Sequence, residues 1–251
     1  MAGVPRPYVS TMPPYRAVFF DLCDTLVHFD AERLPLVEID HRPTRSTAHA
    51  IYDAMGASPP VRFDAFFACL TAVTAEIAAK RDVDCREVTS QERFRRVLER
   101  LGADAGPEAA DRLVLAHMSR LATALVLPPH HRTVLETLRR THRLAVVTNF
   151  DHAPTVYDVL RRDRLDAFFE VVVISGEVGW RKPHRVMFET ALQRLGLLPD
   201  EAFFVGDNFD LDVLGATEVG MAAAWYTRGR PVERETNHPM IADLSELNQL
   251  A

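Results

Sequence analysis

The chain has few cysteines, no long apolar run and no excess of positive charge, and each of these features excludes a class of protein. Its three cysteines, Cys23, Cys69 and Cys85, are odd in number and widely spaced. This spacing indicates neither a disulfide framework nor a CxxC metal site. We therefore expect a protein of a reducing compartment, the cytoplasm.

No segment approaches the run of about 20 apolar residues that a membrane-spanning helix requires, so we expect no membrane partner. The opening stretch, MAGVPRPYVSTMPPYR, has prolines where a secretory signal needs a continuous apolar segment, and we interpret residues 1–14 as a flexible tail. The formal net charge of −6 argues against nucleic acid as a partner, because nucleic acid favours a basic surface. A local positive pocket for a small anion is compatible with this charge.

Short apolar runs that end in a polar residue recur along the 251 residues and predict buried strands. These runs end at or near Asp21, Thr148, Ser175, Asp207 and Thr227. Helical patterns lie between them, such as the one from Met187 to Leu195 that Gly196 can close. Strands that alternate with helices predict an α/β fold with a parallel sheet.

Residues 28–131 interrupt this alternation, because they show helical periodicity without clear buried strands. The best predicted helix lies in TSQERFRRVLERLG, where Thr89 and Glu92 have the spacing of a capping box. It carries one apolar stripe, formed by Phe94, Val97, Leu98 and Leu101. We therefore expect a helical inserted domain at 28–131 and an α/β core at 15–27 and 132–251, with LPPHH at 127–131 as the linker between them.

Polar side chains stand at the ends of three predicted strands. Ligands of an open parallel sheet collect at the carboxyl ends of its strands, where Asp21, Thr148 and Asp207 would all lie. Lys182 would join them from a loop just before a helix. Two carboxylates, a hydroxyl and an ammonium suit a hard divalent cation and a phosphoryl group, since the acids bind the metal while lysine and hydroxyl hold phosphate oxygens.

The segments FFDLCDTL, VVTN, RKP and FVGDNFDLDVLGA resemble, in this order, the four motifs of the haloacid dehalogenase-like (HAD) hydrolase superfamily. Each segment is a weak signal alone, but four in order at strand ends are strong together. The helical insert between the first two motifs resembles the C1 cap of that family. The resemblance implies a Rossmann-like α/β core, a helical C1 cap domain, a hydrolase activity and Mg²⁺ as the cofactor.

The resemblance also implies a role for each matched residue. Asp21 would be the nucleophile that forms an aspartyl phosphate, and Thr148 and the amide of Asn149 would bind the phosphoryl group. Lys182 would neutralise charge on the nucleophile and the phosphate. The implied metal ligands are Asp21, the backbone carbonyl of Cys23, Asp207 and Asp212, the last directly or through water. Asp210 is interpreted instead as a helix-start residue.

The sequence departs from the family pattern at Cys23, where phosphatases of the superfamily usually have a second aspartate that serves as general acid and base. Loss of such a group commonly lowers the rate by about 10² to 10⁴-fold. A thiol is a weak donor, and its thiolate is a soft ligand poorly matched to Mg²⁺. Asp24 is a possible replacement acid, but a turn position is the favoured interpretation. Cys23 itself is interpreted as a small apolar side chain at a strand end.

Three functions stay open at this point. The first is a Mg²⁺-dependent phosphatase acting on a small-molecule phosphorylated substrate. The second is a HAD hydrolase of another bond type, phosphonate or haloacid, although the dehalogenase branch typically lacks an aspartate like Asp207. The third is a catalytically weak binding or regulatory protein, which would have no need of the nucleophile Asp21.

The insert is expected to select the substrate. Candidate contacts are His28, Phe29 and Asp30 at its start and Arg93 and Arg96 on its best helix, although a charged helix face is usually just solvated. The ten histidines show no metal-ligand spacing, and the pair at 130 and 131 is interpreted as a loop. The sequence does not indicate an oligomeric state.

Overall fold

The computed structural model describes residues 15–56 and 61–247, and the tail predicted at 1–14 lies outside the described residues. The strands are β1 (Ala17–Phe20), β2 (His28–Phe29), β3 (Leu36–Ile39), β4 (Arg42–Arg45), β5 (Leu125–Val126), β6 (Arg143–Thr148), β7 (Val171–Ile174), β8 (Ala202–Gly206), β9 (Ala222–Tyr226) and β10 (Met240–Ile241). The α-helices are α1 (Ala48–Ala54), α2 (Phe63–Asp84), α3 (Ser90–Arg100), α4 (Pro107–Ala124), α5 (His131–Leu138), α6 (Ala153–Arg162), α7 (Ser175–Val178), α8 (Arg185–Leu195) and α9 (Gly215–Glu218). None of the helices in these two ranges combines the length and apolar character needed to cross a membrane.

A six-stranded sheet in the order β10-β9-β8-β1-β6-β7 forms the centre of the molecule, and all of its strand pairs are parallel. In the middle of the sheet, Phe20 of β1 pairs with Val146 of β6 on one side and Val205 of β8 on the other. Every residue of β1 and β8 is buried, which explains why both strands are uninterrupted apolar runs. The predicted α/β fold is confirmed, with β1, β6, β7, β8 and β9 at the five predicted runs.

Helices cover both faces of the sheet. Because successive side chains of a strand point to opposite faces, Val18 and Phe20 of β1 pack with α5, α6 and the insert, whereas Ala17 and Phe19 pack with α8 and α9. The cluster on the first face continues through Phe66 of α2 and into α3 and α4. The insert and the sheet therefore share one hydrophobic core on that face.

The insert lies between β2 and β5, which pair antiparallel, so the two chain segments that join it to the sheet run side by side. It contains α1 to α4 and also an antiparallel hairpin, β3–β4, that the sequence did not predict. The hairpin is largely exposed and turns at Asp40 and His41, whose φ angles are 50° and 59°. Asn-Gly or Asp-Gly is the usual sequence signal for such a turn, and this chain lacks it there.

The helix predicted from TSQERFRRVLERLG is α3, and its start follows the prediction in part. The Thr89 hydroxyl accepts the main-chain N–H of Glu92 at 3.3 Å, as an N-cap residue does. The reciprocal half of the capping box is absent, because the Glu92 carboxylate instead pairs with Arg95 and Arg96. Gly102, with φ 66°, follows the end of the helix as expected.

We predict that Thr89→Ala lowers the free energy of unfolding by about 1 kcal/mol, because the substitution removes the N-cap acceptor of α3. Urea-induced unfolding followed by circular dichroism measures the change. Thr89→Ser is the matched control, since it keeps the hydroxyl and should retain most of the stability. Equal losses in the two variants would show that the cap hydrogen bond contributes nothing.

Candidate active site

Four of the predicted residues converge at the carboxyl edge of the sheet. Asp21 directly follows β1, Thr148 is the last residue of β6, and Asp207 directly follows β8. Asp212 arrives from the π-helical turn Phe209–Leu214. Carboxylate oxygens of Asp21, Asp207 and Asp212 all lie within 4.8 Å of one another. The parallel topology thus brings these acids together, as the sequence predicted.

Lys182 lies between two of these acids. Its Nζ is 2.6 Å from Asp21 Oδ1 and 2.7 Å from Asp212 Oδ1, and all three side chains are buried. Burial alone would lower the pKa of Lys182, but the two carboxylates raise it above its ordinary value. The lysine is therefore an ammonium at neutral pH, placed to oppose negative charge at Asp21.

The three carboxylates exceed the single ammonium in charge. Burial, with the repulsion of Asp212 added, raises the pKa of Asp21 to about 6 despite the attraction of Lys182. Burial and the charges of Asp21 and Asp212 raise the pKa of Asp207 to about 7. Clustered carboxylate oxygens are the donors that hard divalent cations prefer, and a cation would relieve this repulsion. The donor set therefore fits Mg²⁺.

Asp212 can approach the strand end because residue 206 is glycine. A Cβ atom at Gly206 would overlap the Asp212 carboxylate. The second oxygen of that carboxylate accepts the main-chain N–H of Asn208 at 3.0 Å. Asp210 points away from the cluster, since it is exposed and pairs with Arg234 at 2.8 Å. The geometry thus places Asp212 at the site and leaves Asp210 at the surface.

The side chains of Thr148 and Asn149 differ in whether they are free to bind a ligand. Among the residues that the structure describes, the buried Oγ1 of Thr148 has no hydrogen-bond partner, so it can bind a ligand. The side chain of Asn149 is occupied: its Oδ1 accepts the Lys182 main-chain N–H at 2.7 Å, and its Nδ2 donates to the Lys182 carbonyl at 3.0 Å. These two bonds hold the main chain at Lys182.

Cys23 lies two residues after Asp21 and forms an isolated bridge with Val27. Burial, reinforced by the charge of Asp21, raises the pKa of its thiol well above the ordinary value. The thiol therefore stays neutral and cannot serve as a base. Asp24 does not replace it, because this residue occupies a turn with φ 61° and its carboxylate accepts the N–H of Phe29 and pairs with Arg228.

A buried ionic network, not predicted from the sequence, joins the insert to the loop that carries Lys182. The Glu87 carboxylate is fully buried and lies 2.5 Å from Arg81 of α2, Arg181 and the hydroxyl of Ser175. Arg181 directly precedes Lys182 in the chain. Ser175 and Arg181 are 88 and 94 residues from Glu87, so no local pattern could indicate these two contacts.

The predicted substrate contacts in the insert are spread over several positions. Arg96 pairs with Glu92 at 2.7 Å, as a solvated helix face would. Asp30 caps the short turn Ala31–Arg33, and Phe29 is exposed. Arg93 is largely buried, 3.7 Å from Asp151 of the α/β core, and thus faces the sheet domain. His28 lies beside His131 and Tyr226.

Comparison with known proteins agrees with the fold. The profile of the haloacid dehalogenase-like hydrolase family matches residues 15–220. The chain therefore belongs to this family, and it is a hydrolase. The resemblance noted in the four sequence motifs is confirmed.

The relatives include two kinds of phosphatase. The glyceraldehyde 3-phosphate phosphatase of Pyrococcus furiosus is 29% identical over 238 residues, which are 94% of this chain and 91% of that protein. The phosphoserine phosphatase of Thermus thermophilus is 36% identical over 160 residues, 61% of each chain. The structure of a 2-haloacid dehalogenase from Pseudomonas syringae pv. Tomato superposes with a TM-score of 0.68 at 23% identity, covering 94% of this chain and 97% of that one. This last likeness shows the fold alone.

We predict that Glu87→Gln lowers the free energy of unfolding by about 3 kcal/mol, because it removes the buried anion that pairs with the largely buried Arg81 and Arg181. Arg81 would keep the more distant carboxylate of Asp151, at 3.8 Å. Chemical denaturation at neutral pH measures the loss. Glu76→Gln is the matched control, since it makes the same change at the exposed pair with Arg100 and should have little effect. Similar effects of the two substitutions would contradict the structural role of Glu87.

Proposed function

We propose that this hydrolase is a Mg²⁺-dependent phosphatase that acts on small phosphorylated metabolites through an aspartyl phosphate at Asp21. The observation that carries the proposal is the contact of Lys182 with Asp21 and Asp212, at 2.6 and 2.7 Å, beside the third carboxylate of Asp207. The names of the two relatives support the substrate class, since both enzymes are phosphatases of small phosphorylated metabolites.

The residues that would hold Mg²⁺ are Asp21, Asp207, Asp212 and the backbone carbonyl of Cys23. Bound Mg²⁺ would supply positive charge to the phosphoryl oxygens in the transition state. The ammonium of Lys182 and the free Oγ1 of Thr148 would bind phosphoryl oxygens as well. Asn149 would orient Lys182 with its side chain, so any contact of its own with phosphate would come from the main-chain N–H.

The reaction proceeds in two displacements at phosphorus. A carboxylate oxygen of Asp21 attacks the phosphorus, and the bond from phosphorus to the alcohol oxygen breaks. A water molecule then attacks the phosphorus of the aspartyl phosphate, which releases inorganic phosphate and restores the Asp21 carboxylate. Lys182 keeps its proton in both steps, because the neighbouring carboxylates raise its pKa.

Proton transfer is the weak part of this site. The leaving alcohol needs a proton in the first displacement, and the attacking water loses one in the second. The Cys23 thiol has a raised pKa and the Asp24 carboxylate is paired with Arg228, so neither performs these transfers well. Turnover should therefore favour substrates whose leaving groups depart without protonation, such as aryl and acyl phosphates.

A haloacid or phosphonate reaction is the second possibility that the sequence left open. The three clustered carboxylates disfavour a carbon–halogen reaction, which does not require a divalent cation. Halide release from a 2-haloacid, in the absence of phosphate release from aryl phosphates, would reverse this choice.

We predict that Asp21→Asn lowers Mg²⁺-dependent phosphate release from an aryl phosphate by at least about 10³-fold, because the amide cannot attack phosphorus. Acid-quenched enzyme analysed by mass spectrometry should carry phosphate on residue 21 in the wild type and none in the variant. Asp210→Asn is the matched control, because Asp210 is an exposed acid next to the site and should be dispensable. Turnover that persists in Asp21→Asn would exclude the covalent route.

We predict that Cys23→Asp increases the turnover of alkyl phosphates by about 10²-fold and that of aryl phosphates much less, because only the poorer leaving group needs an acid. Steady-state kcat for both substrates measures the difference. Cys23→Asn, which has similar size and no acidic proton, is the control. An equal gain for both substrates, or the same gain in Cys23→Asn, would contradict the proposed defect in proton transfer.

A further inference from the structure

Two histidines and an aspartate form a compact group outside the carboxylate cluster. His130 and His131 stand at the start of α5, and Asp243 lies in the segment that follows β10. One potential ligand atom from each of the three residues lies within 4.8 Å of the other two. His130 and Asp243 are 113 residues apart, so the spacing of histidines in the sequence could not reveal this group.

The hydrogen bonds of His131 determine which of its nitrogens is available. Nδ1 lies 2.9 Å from the main-chain carbonyl of Leu26, which can only accept, so Nδ1 carries the hydrogen. Nε2 of the neutral ring then carries the lone pair, and its contact with the Tyr226 hydroxyl is long, at 3.5 Å. A histidine oriented by a carbonyl in this way is the usual arrangement in metal sites.

The other two residues are joined by a proton that a metal can replace. Nε2 of His130 lies 2.8 Å from Oδ2 of Asp243, and since a carboxylate accepts, that nitrogen carries the hydrogen. The main chain and hydroxyl of Ser245 hold the other carboxylate oxygen, Oδ1. On metal binding Nε2 of His130 would lose this hydrogen while Nδ1 takes one up from solvent, so the ring stays neutral and the Nε2 lone pair bonds to the metal.

We infer that His130, His131 and Asp243 form a Zn²⁺ site that is separate from the Mg²⁺ site proposed above. Two imidazoles and one carboxylate, with water in the fourth position, are a common donor set for zinc, whereas Mg²⁺ prefers oxygen ligands alone. Ligand atoms of a tetrahedral site lie about 3.4 Å apart at bonds of about 2.1 Å. The three ligand atoms here lie within 4.8 Å of one another, and the half-exposed His130 side chain has room to move toward that geometry. The partial positive charge at the amino end of α5 disfavours a cation there, and the negative charge of Asp243 compensates for this effect.

Zinc bound at this site would stabilise the fold. Zinc there would connect the start of α5, directly after the insert, to the segment between β10 and the turn Leu244–Glu246. Because the metal would bind the folded chain and not the unfolded one, it would raise the melting temperature. The inference does not depend on the proposed phosphatase activity.

The test is Zn²⁺ binding by isothermal titration calorimetry in excess Mg²⁺, with Asp207→Asn as the background so that the carboxylate cluster competes less for zinc. We expect one zinc per chain and an affinity at least about 10-fold weaker when His130→Ala is added. At the same zinc concentration, the melting temperature should rise more in the background protein than in the His130→Ala variant.

His41→Ala is the matched control, because His41 is also an exposed histidine beside a carboxylate, 3.4 Å from Glu38, but has no third ligand among residues 15–56 and 61–247. It should bind zinc as the background protein does. The inference is overturned if the background protein takes up no zinc, if His130→Ala leaves the affinity unchanged, or if His41→Ala weakens binding equally.

Discussion

The contact of the Lys182 ammonium with the carboxylates of Asp21 and Asp212 is the interaction on which the site depends. The three side chains are buried, and a buried charge without a partner is unfavourable by several kcal/mol. The two carboxylates therefore stabilise the Lys182 ammonium, and the ammonium offsets their negative charge. These contacts hold together the chain segments after β1, before α8 and after β8. The same arrangement would give the proposed nucleophile, Asp21, a cation beside it, and it leaves an excess of carboxylates that suits a divalent metal.

The surrounding chain keeps Lys182 in place from two directions. Asn149 bonds to both the N–H and the carbonyl of Lys182, which couples the end of β6 to the lysine loop. Arg181 pairs with the buried Glu87 of the insert, which couples the same loop to the segment between α2 and α3. The insert is thus connected to the loop of Lys182 by charge, and to the sheet by the shared hydrophobic core. Cys23 departs from the family pattern in one respect. Its main-chain carbonyl is retained, but its side chain does not supply the carboxylic acid that phosphatases of the family usually have at this position.

Several local features could be predicted because their signals lie within a few residues. The apolar runs that became β1 and β8 are buried on both faces, and parallel strands place the residues after them, Asp21 and Asp207, at one edge. The hairpin β3–β4 escaped prediction because it is exposed and its Asp40-His41 turn has no glycine. The capping box predicted at α3 forms only the bond to the Thr89 hydroxyl. The prediction was wrong for the reciprocal bond, since Arg95 and Arg96 on the same helix compete for the Glu92 carboxylate.

The sequence by itself determined the strands β1, β6, β7, β8 and β9, the family and the residues that end those strands, because periodicity and motifs act over short distances. Tertiary structure alone decided how charges distant in the sequence are paired. Lys182 meets Asp21 across 161 residues, Arg181 meets Glu87 across 94, and His130 meets Asp243 across 113. Contacts over such separations depend on how the elements pack, and no local pattern encodes which side chains will be buried together.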